Sequence, residues 1–139
     1  MFPFFNRLQV KKITSASGDE AGQQAHRVVE GLVTDLPDLL MACVVEIQSG
    51  KILASYTSHP SYNPNHVSLR YAKSFRTIQE ALSSGAWVGG PLTDISLMLE
   101  DQLHQLYPLH NDQWYCLMAV RMADANLAIA KEVMRRHLI

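Results

Sequence analysis

Apolar residues between positions 21 and 36 recur at intervals of three and four: Ala21, Ala25, Val28, Val29, Leu32, Val33 and Leu36. That spacing lines one face of a helix. Ser17 and Glu20 stand ahead of it at capping-box spacing, and Pro37 ends it by removing a donor and crowding the preceding turn. The pattern then changes. Residues 41–48 are β-branched and mostly apolar, as in a strand covered on both faces, and 51–57 supply a partner after Ser49-Gly50. So short a connection allows only an antiparallel hairpin, with Gly50 in the left-handed region of a bulged turn. Asn63 and Pro64 form a helix-start pair, and Val67, Tyr71, Phe75, Ile78 and Leu82 carry helical spacing toward Gly85.

Beyond the loop 85–91, in which Trp87 is expected to plug an apolar gap, residues 92–100 alternate. Ile95, Leu97 and Leu99 fall on one face and Asp94, Ser96 and Met98 on the other, predicting a half-exposed strand. A strand over 103–109 follows, with Pro108 expected at its end or at an irregularity. His110-Asn111-Asp112 is turn chemistry, and 113–121 has the aromatic and aliphatic content of a central strand. Asp124 or Asn126 then caps a last helix with Leu127, Ala130, Val133, Met134 and Leu138 on its buried stripe and Arg135, Arg136 and His137 at its cation-favouring end. The order is α-β-β-α-β-β-β-α, with an N-terminal arm over 1–16 and one domain over 17–139. The arm, with Phe2, Phe4 and Phe5, is either a frayed terminus or a segment that docks on the domain or on a second subunit.

Composition narrows the function classes. An apolar fraction of 47% and a charged fraction of 18% are those of a folded globular chain. A net charge of -1 supplies no positive field for a phosphate backbone, so a nucleic-acid partner is not expected. No run reaches the ~20 apolar residues of a membrane span. The apolar start breaks too early for a signal peptide, and two distant cysteines, Cys43 and Cys116, fit buried thiols in a reducing compartment. The expectation is a cytoplasmic protein.

Candidate chemistry is sparse. None of the six histidines has the spacing of a helical zinc site. His104 and His110 allow one strand face yet would stand about 20 Å apart at ~3.3 Å per residue. Gly89-Gly90 lacks the following Gly-Lys-Ser/Thr of a phosphate loop. Asp94, Glu100 and Asp101 read as charges beside a strand end, and both cysteines lie in apolar strands, unsuited to a nucleophile. No catalytic residue, metal site or cofactor is expected. The second helix carries a mainly basic row, His66, Arg70, Lys73, Arg76 and Glu80, which is either a solvated face or a partner-binding one.

Several segments resemble the roadblock/dynein light chain family: 36–45 (LPDLLMACVV), its helix end running into a first strand; 50–55 (GKILAS), its Gly turn and second strand; 115–120 (YCLMAV) and 126–130 (NLAIA), its last strand and the Asn-Leu opening of its last helix. The similarity spans about 19–138, and departs at the arm, at 59–64 and at the Gly-Gly-Pro loop. The resemblance implies an α+β, profilin-like fold, a five-stranded antiparallel sheet flanked by three helices, with the first and last strands adjacent. Cys43 and Cys116 would then be neighbours, near enough to meet. It implies a non-enzymatic scaffold that dimerises by joining third strands edge to edge and packing second helices, and that binds a small Ras-like GTPase or serves a motor, motility or signalling assembly. An uncovered edge strand at 92–100 is an association hazard that a second copy removes, a physical reason for the same conclusion. The expected dimer contacts are Phe75, Ile78, Leu82, Ile95, Leu97 and Leu99; the expected partner-binding residues are Arg70, Lys73 and Arg76. The alternative is a small-molecule-sensing module of PAS, GAF or profilin type, whose mark would be polar residues aimed into a core cavity.

Overall fold

The computed structural model describes residues 12–83, 88–124 and 126–137. Its strands are β1 (Thr14–Ser15), β2 (Met41–Glu46), β3 (Ile52–Thr57), β4 (Ile95–Met98), β5 (Gln102–Leu109) and β6 (Trp114–Arg121); its helices are α1 (Glu20–Asp35), α2 (Ser68–Leu82) and α3 (Leu127–His137). They form a six-stranded antiparallel sheet in the order β1-β3-β2-β6-β5-β4, one strand more than expected. The addition is β1, drawn from the expected arm: Thr14 pairs with Ser55 and Ser15 with Ala54. Residues 1–11 lie outside the described part, as do Gly85, Trp87 and Leu138.

Two apolar layers fill the space on either side of the sheet. On one side Ala25, Val29 and Leu32 of α1 and Ala130, Val133 and Met134 of α3 pack on Ala42, Val44, Cys116 and Met118. On the other, Ala72 and Phe75 of α2 pack on Cys43, Val45, Leu106, Tyr115 and Leu117. Alternate residues of β2 and β6 therefore serve opposite layers, the reason these strands carry no polar alternation. Each fully buried Val or Leu contributes about 1.5–3 kcal/mol, so the two central strands hold much of the fold's stability.

Local chemistry places the boundaries. Asp19, not Ser17, caps α1: its carboxylate accepts from the Gly22 amide at 2.9 Å, while Ser17 Oγ donates to Asp19 at 2.6 Å. Asn63 and Pro64 open a single 3₁₀ turn, Pro64–His66, and α2 proper begins at Ser68. Asn126 caps α3 through the Ile129 amide at 3.2 Å. Gly50 has φ 74°, and a Cβ there would lie 2.6 Å from Leu69 Cδ1, so both the turn and the approach of α2 demand glycine. The ladder shifts by one residue beyond Val44, the bulge expected of this hairpin.

Strands β2 and β6 are neighbours, with Cys43 opposite Leu117 and Val44 opposite Cys116. That offset of one sends the two thiols to opposite faces, which corrects the expectation that they approach each other. Both are wholly buried; burial pushes Cys43 up to about 12 and raises Cys116 as well, so neither offers a thiolate near neutrality.

Candidate interaction surface: the β4 edge and the outer side of α2

β4 ends the sheet, and it is shorter than the alternation over 92–100 predicts. The Leu99 amide donates to the Gln102 carbonyl at 2.8 Å, closing the β4–β5 turn and taking Leu99 out of the strand. That bond also sets the ladder's phase. Hydrogen-bonded pairs alternate along an antiparallel ladder, so Leu97 with His104 and Ile95 with Leu106 are bonded pairs, and Ser96 and Met98 direct their N–H and C=O groups outward. Among the described residues no strand receives them.

Each face of this edge is anchored differently. On the α2 side, Ile95 and Leu97 are half-buried against the core. There His104, buried beside Leu97, meets the Tyr71 hydroxyl through Nδ1 at 2.8 Å and Gln102 Oε1 through Nε2 at 2.8 Å. With Nε2–H donating to the Gln102 oxygen, Nδ1 accepts from Tyr71, a neutral tautomer consistent with a pKa lowered by burial. On the α3 side, fully buried Gln105 accepts from Ser96 Oγ at 2.6 Å and donates to the Asp94 carboxylate, which Lys131 of α3 meets at 3.2 Å. Burial pushes Asp94 up, but its hydrogen bond from Thr93 and its bond and charge interaction with Lys131 outweigh this and hold it below the usual carboxylate value. A carboxylate that reads from sequence as a strand-end charge is thus a structural tie between β4, β5 and α3.

The six expected contact residues do not share one environment. Phe75 is 0% exposed and stacks on Tyr115 with ring centroids 5.9 Å apart, so it belongs to the protomer core; this corrects its place in a contact surface. Ile78, Ile95 and Leu97 are half-buried, whereas Leu82 is 36% and Leu99 42% exposed. Two further apolar side chains that sequence reasoning does not select are exposed, Met98 (65%) and Leu69 (45%); Leu69 lies beside Gly50 at the β2–β3 turn, away from β4. Met98 alternates with the apolar face, and its pairing with Leu103 puts its side chain on the α1/α3 side of the sheet; it is the backbone of Met98 that faces the free edge.

The basic row also divides. Arg70 and Lys73 are exposed on α2. Arg76 instead donates from Nη1 to the Ile47 carbonyl at 2.7 Å and the Gln48 carbonyl at 3.0 Å, clamping α2 to the β2–β3 turn. Its Nη1 is therefore already engaged within the protomer, which corrects the reading of three equivalent outward cations. The described residues contain no group of three metal-ligating side chains.

No family model and no curated protein matches this sequence. The structure does have relatives: a roadblock/LC7 domain from Streptomyces avermitilis superposes with a TM-score of 0.64 at 15% identity, over 79% of this chain and 88% of that one. The fold is that of a roadblock domain. MglB from Myxococcus xanthus shares it with a TM-score of 0.70 at 6% identity, over 88% and 87% of the two chains. The gliding protein MglB from Thermus thermophilus does so at 0.68 and 12% identity, over 89% and 90%. At these identities the likeness defines the roadblock architecture alone. No helix among the described residues is long and apolar enough to cross a membrane.

Proposed function

We propose that this chain is a non-enzymatic scaffold or regulator that forms a homodimer through β4 and the adjoining side of α2 and then engages a small Ras-like GTPase or a signalling or motility assembly. The observation that carries this reading is the β4 edge, which no strand among the described residues covers, with the backbone groups of Ser96 and Met98 directed outward and Met98, Leu99 and Leu82 exposed. The opposite margin is treated differently: β1 lies along β3, and the Ala16 amide donates to the Leu53 carbonyl at 2.9 Å.

Magnitudes require more than strand pairing. Two copies joined with Ser96 opposite Met98 form four backbone hydrogen bonds, about 2–6 kcal/mol at 0.5–1.5 kcal/mol each. Association costs about 4–15 kcal/mol, so apolar contact by Leu82, Leu99 and Met98, with Ile78 alongside, supplies the remainder. Arg70 and Lys73 are the partner-facing cations in this reading, supported by their exposure and by the regulatory roles that the roadblock resemblance implies. MglB is a useful parallel, since one of its structures has a tetrameric arrangement. The sensing alternative has less support: the buried polar residues are Ser68, His104 and Gln105, and no buried side-chain polar atom among the described residues lacks a partner.

Light scattering across a micromolar concentration range tests the assembly, with a dimer expected and a monomer throughout refuting it. Recovery of a bound GTPase by wild type and by an Arg70→Ala/Lys73→Ala pair tests the partner surface; undiminished recovery removes these residues from it.

A further inference from the structure

A second surface lies on the opposite side of the sheet from α2. Between α1 and α3, at the end of the sheet where β5 turns into β6, a groove of about 450 Å³ is bounded by Gln24, Arg27, His110, Trp114, Arg136 and His137. Its lining includes two guanidiniums and two imidazoles and, among the described residues, no carboxylate. In a chain of net charge -1 this is a local concentration of positive charge.

The side chains contributed by α3 are held in place. Asp35, behind the groove, accepts from Arg136 Nη1 at 3.1 Å and from His137 Nε2 at 2.7 Å. Gly31 permits this packing, since a Cβ there would run into the His137 ring at Nδ1. Asp35 offsets part of the charge but uses only one of the donors of Arg136, leaving the rest of its fork for a ligand. Arg27 has no ion pair among the described residues and is exposed.

The groove's remaining wall is unusually shaped. His110, Asn111 and Asp112 have φ of 56°, 55° and 62°, three successive non-glycine residues in the left-handed region. Such strain concentrates where a loop must present a side chain to a ligand. Here the turn lays the His110 ring flat on Trp114, with centroids 4.2 Å apart and planes 18° apart, at the edge of the cationic groove.

We infer that this groove binds a phosphate monoester, carried either by a small molecule or by a phosphorylated side chain of a partner. A tetrahedral dianion offers three strong acceptor oxygens, enough to engage the forks of Arg27 and Arg136 together, and the amide of Gln24 and the ring of His110 border the same space. The inference concerns a different face from the dimer surface and does not depend on it.

Calorimetric titration of the full chain with inorganic phosphate, phenyl phosphate and a phosphoserine peptide tests it, using Arg27→Gln as the decisive variant and Arg70→Gln as a control outside the groove. Saturable binding of a phosphate ester below about 1 mM is expected, weakened about tenfold or more by Arg27→Gln, unchanged by Arg70→Gln, and lowered by added salt. Tighter binding of the peptide than of phenyl phosphate assigns the groove to a phosphorylated partner; the reverse assigns it to a small molecule. Absence of saturable binding to wild type, or equal affinity in Arg27→Gln with an unchanged melting curve, overturns the inference.

Discussion

Replacing Met98 with proline tests the proposed dimer at a backbone donor that serves the interface and not the protomer. The Met98 N–H points away from β5, and its side chain is 65% exposed. Proline is tolerated on an edge strand in that orientation, and Leu97 before it already has the extended backbone that proline requires. The protomer should therefore keep its circular dichroism spectrum and its melting midpoint within a few degrees. In the dimer the substitution removes two of four inter-strand hydrogen bonds, one from each copy. At about 0.5–1.5 kcal/mol each this is about 1–3 kcal/mol, a weakening of roughly 5- to 150-fold before any clash of the ring with the facing strand. Met98→Ala keeps the donor and separates loss of the side chain from loss of the bond. Sedimentation equilibrium over a hundredfold concentration range reads the shift. If Met98→Pro and wild type dimerise equally, β4 is not the joint.

Arg76→Ala should lower the unfolding free energy by about 1–3 kcal/mol in urea titration, because it leaves two turn carbonyls without their charged donor, whereas Arg70→Ala and Lys73→Ala should stay within about 0.5 kcal/mol. His104 makes stability depend on pH: its folded pKa lies below the ordinary 6.5, so its contribution is fully present above that value and is lost as pH falls through the folded pKa. Unfolding free energy measured from pH 8 downward should therefore decline below about 6.5, and His104→Gln should flatten that slope. Gly31→Ala should cost about 1–3 kcal/mol by forcing the His137 ring away from α1, with loss of the Asp35–His137 contact visible in the imidazole resonances.

Where one element's own residues carry the signal, the sequence is readable. The three- and four-residue spacing of α1, the unbroken apolar run of β2 and the Gly50 turn each follow from local geometry, and the neighbouring of β2 and β6 follows from the roadblock resemblance. β1 is not legible, because Thr14 and Ser15 have no periodicity of their own and become a strand only by pairing with β3. Phe75 is misplaced for a related reason. Its spacing identifies the apolar stripe of α2, but which part of that stripe the sheet covers depends on how the helix crosses β6, and Tyr115 takes the ring. Arg76 looks like Arg70 and Lys73 until a turn 28 residues earlier brings its carbonyls alongside. The cationic groove is invisible in the sequence because α1, the β5–β6 turn and α3 each contribute part of it.

The two proposed surfaces are separated by the sheet itself. Apart from the Met98 side chain, dimer contacts lie at the β4 edge and on the α2 side, while the groove lies between α1 and α3 at the β5–β6 turn, with the buried layer of β2 and β6 between them. The two surfaces share no residue, so occupancy of one should not alter the other. Arg27→Gln should then dimerise as wild type does, and Met98→Pro should retain full phosphate-ester affinity as a monomer. A fivefold or larger change in either cross-measurement would mean that α3 transmits groove occupancy to the edge through the Lys131–Asp94–Gln105 tie, which links the helix to β4 and β5. Asp94→Ala, which cuts that tie, distinguishes the cases: it abolishes coupling carried by this path and leaves independent surfaces independent.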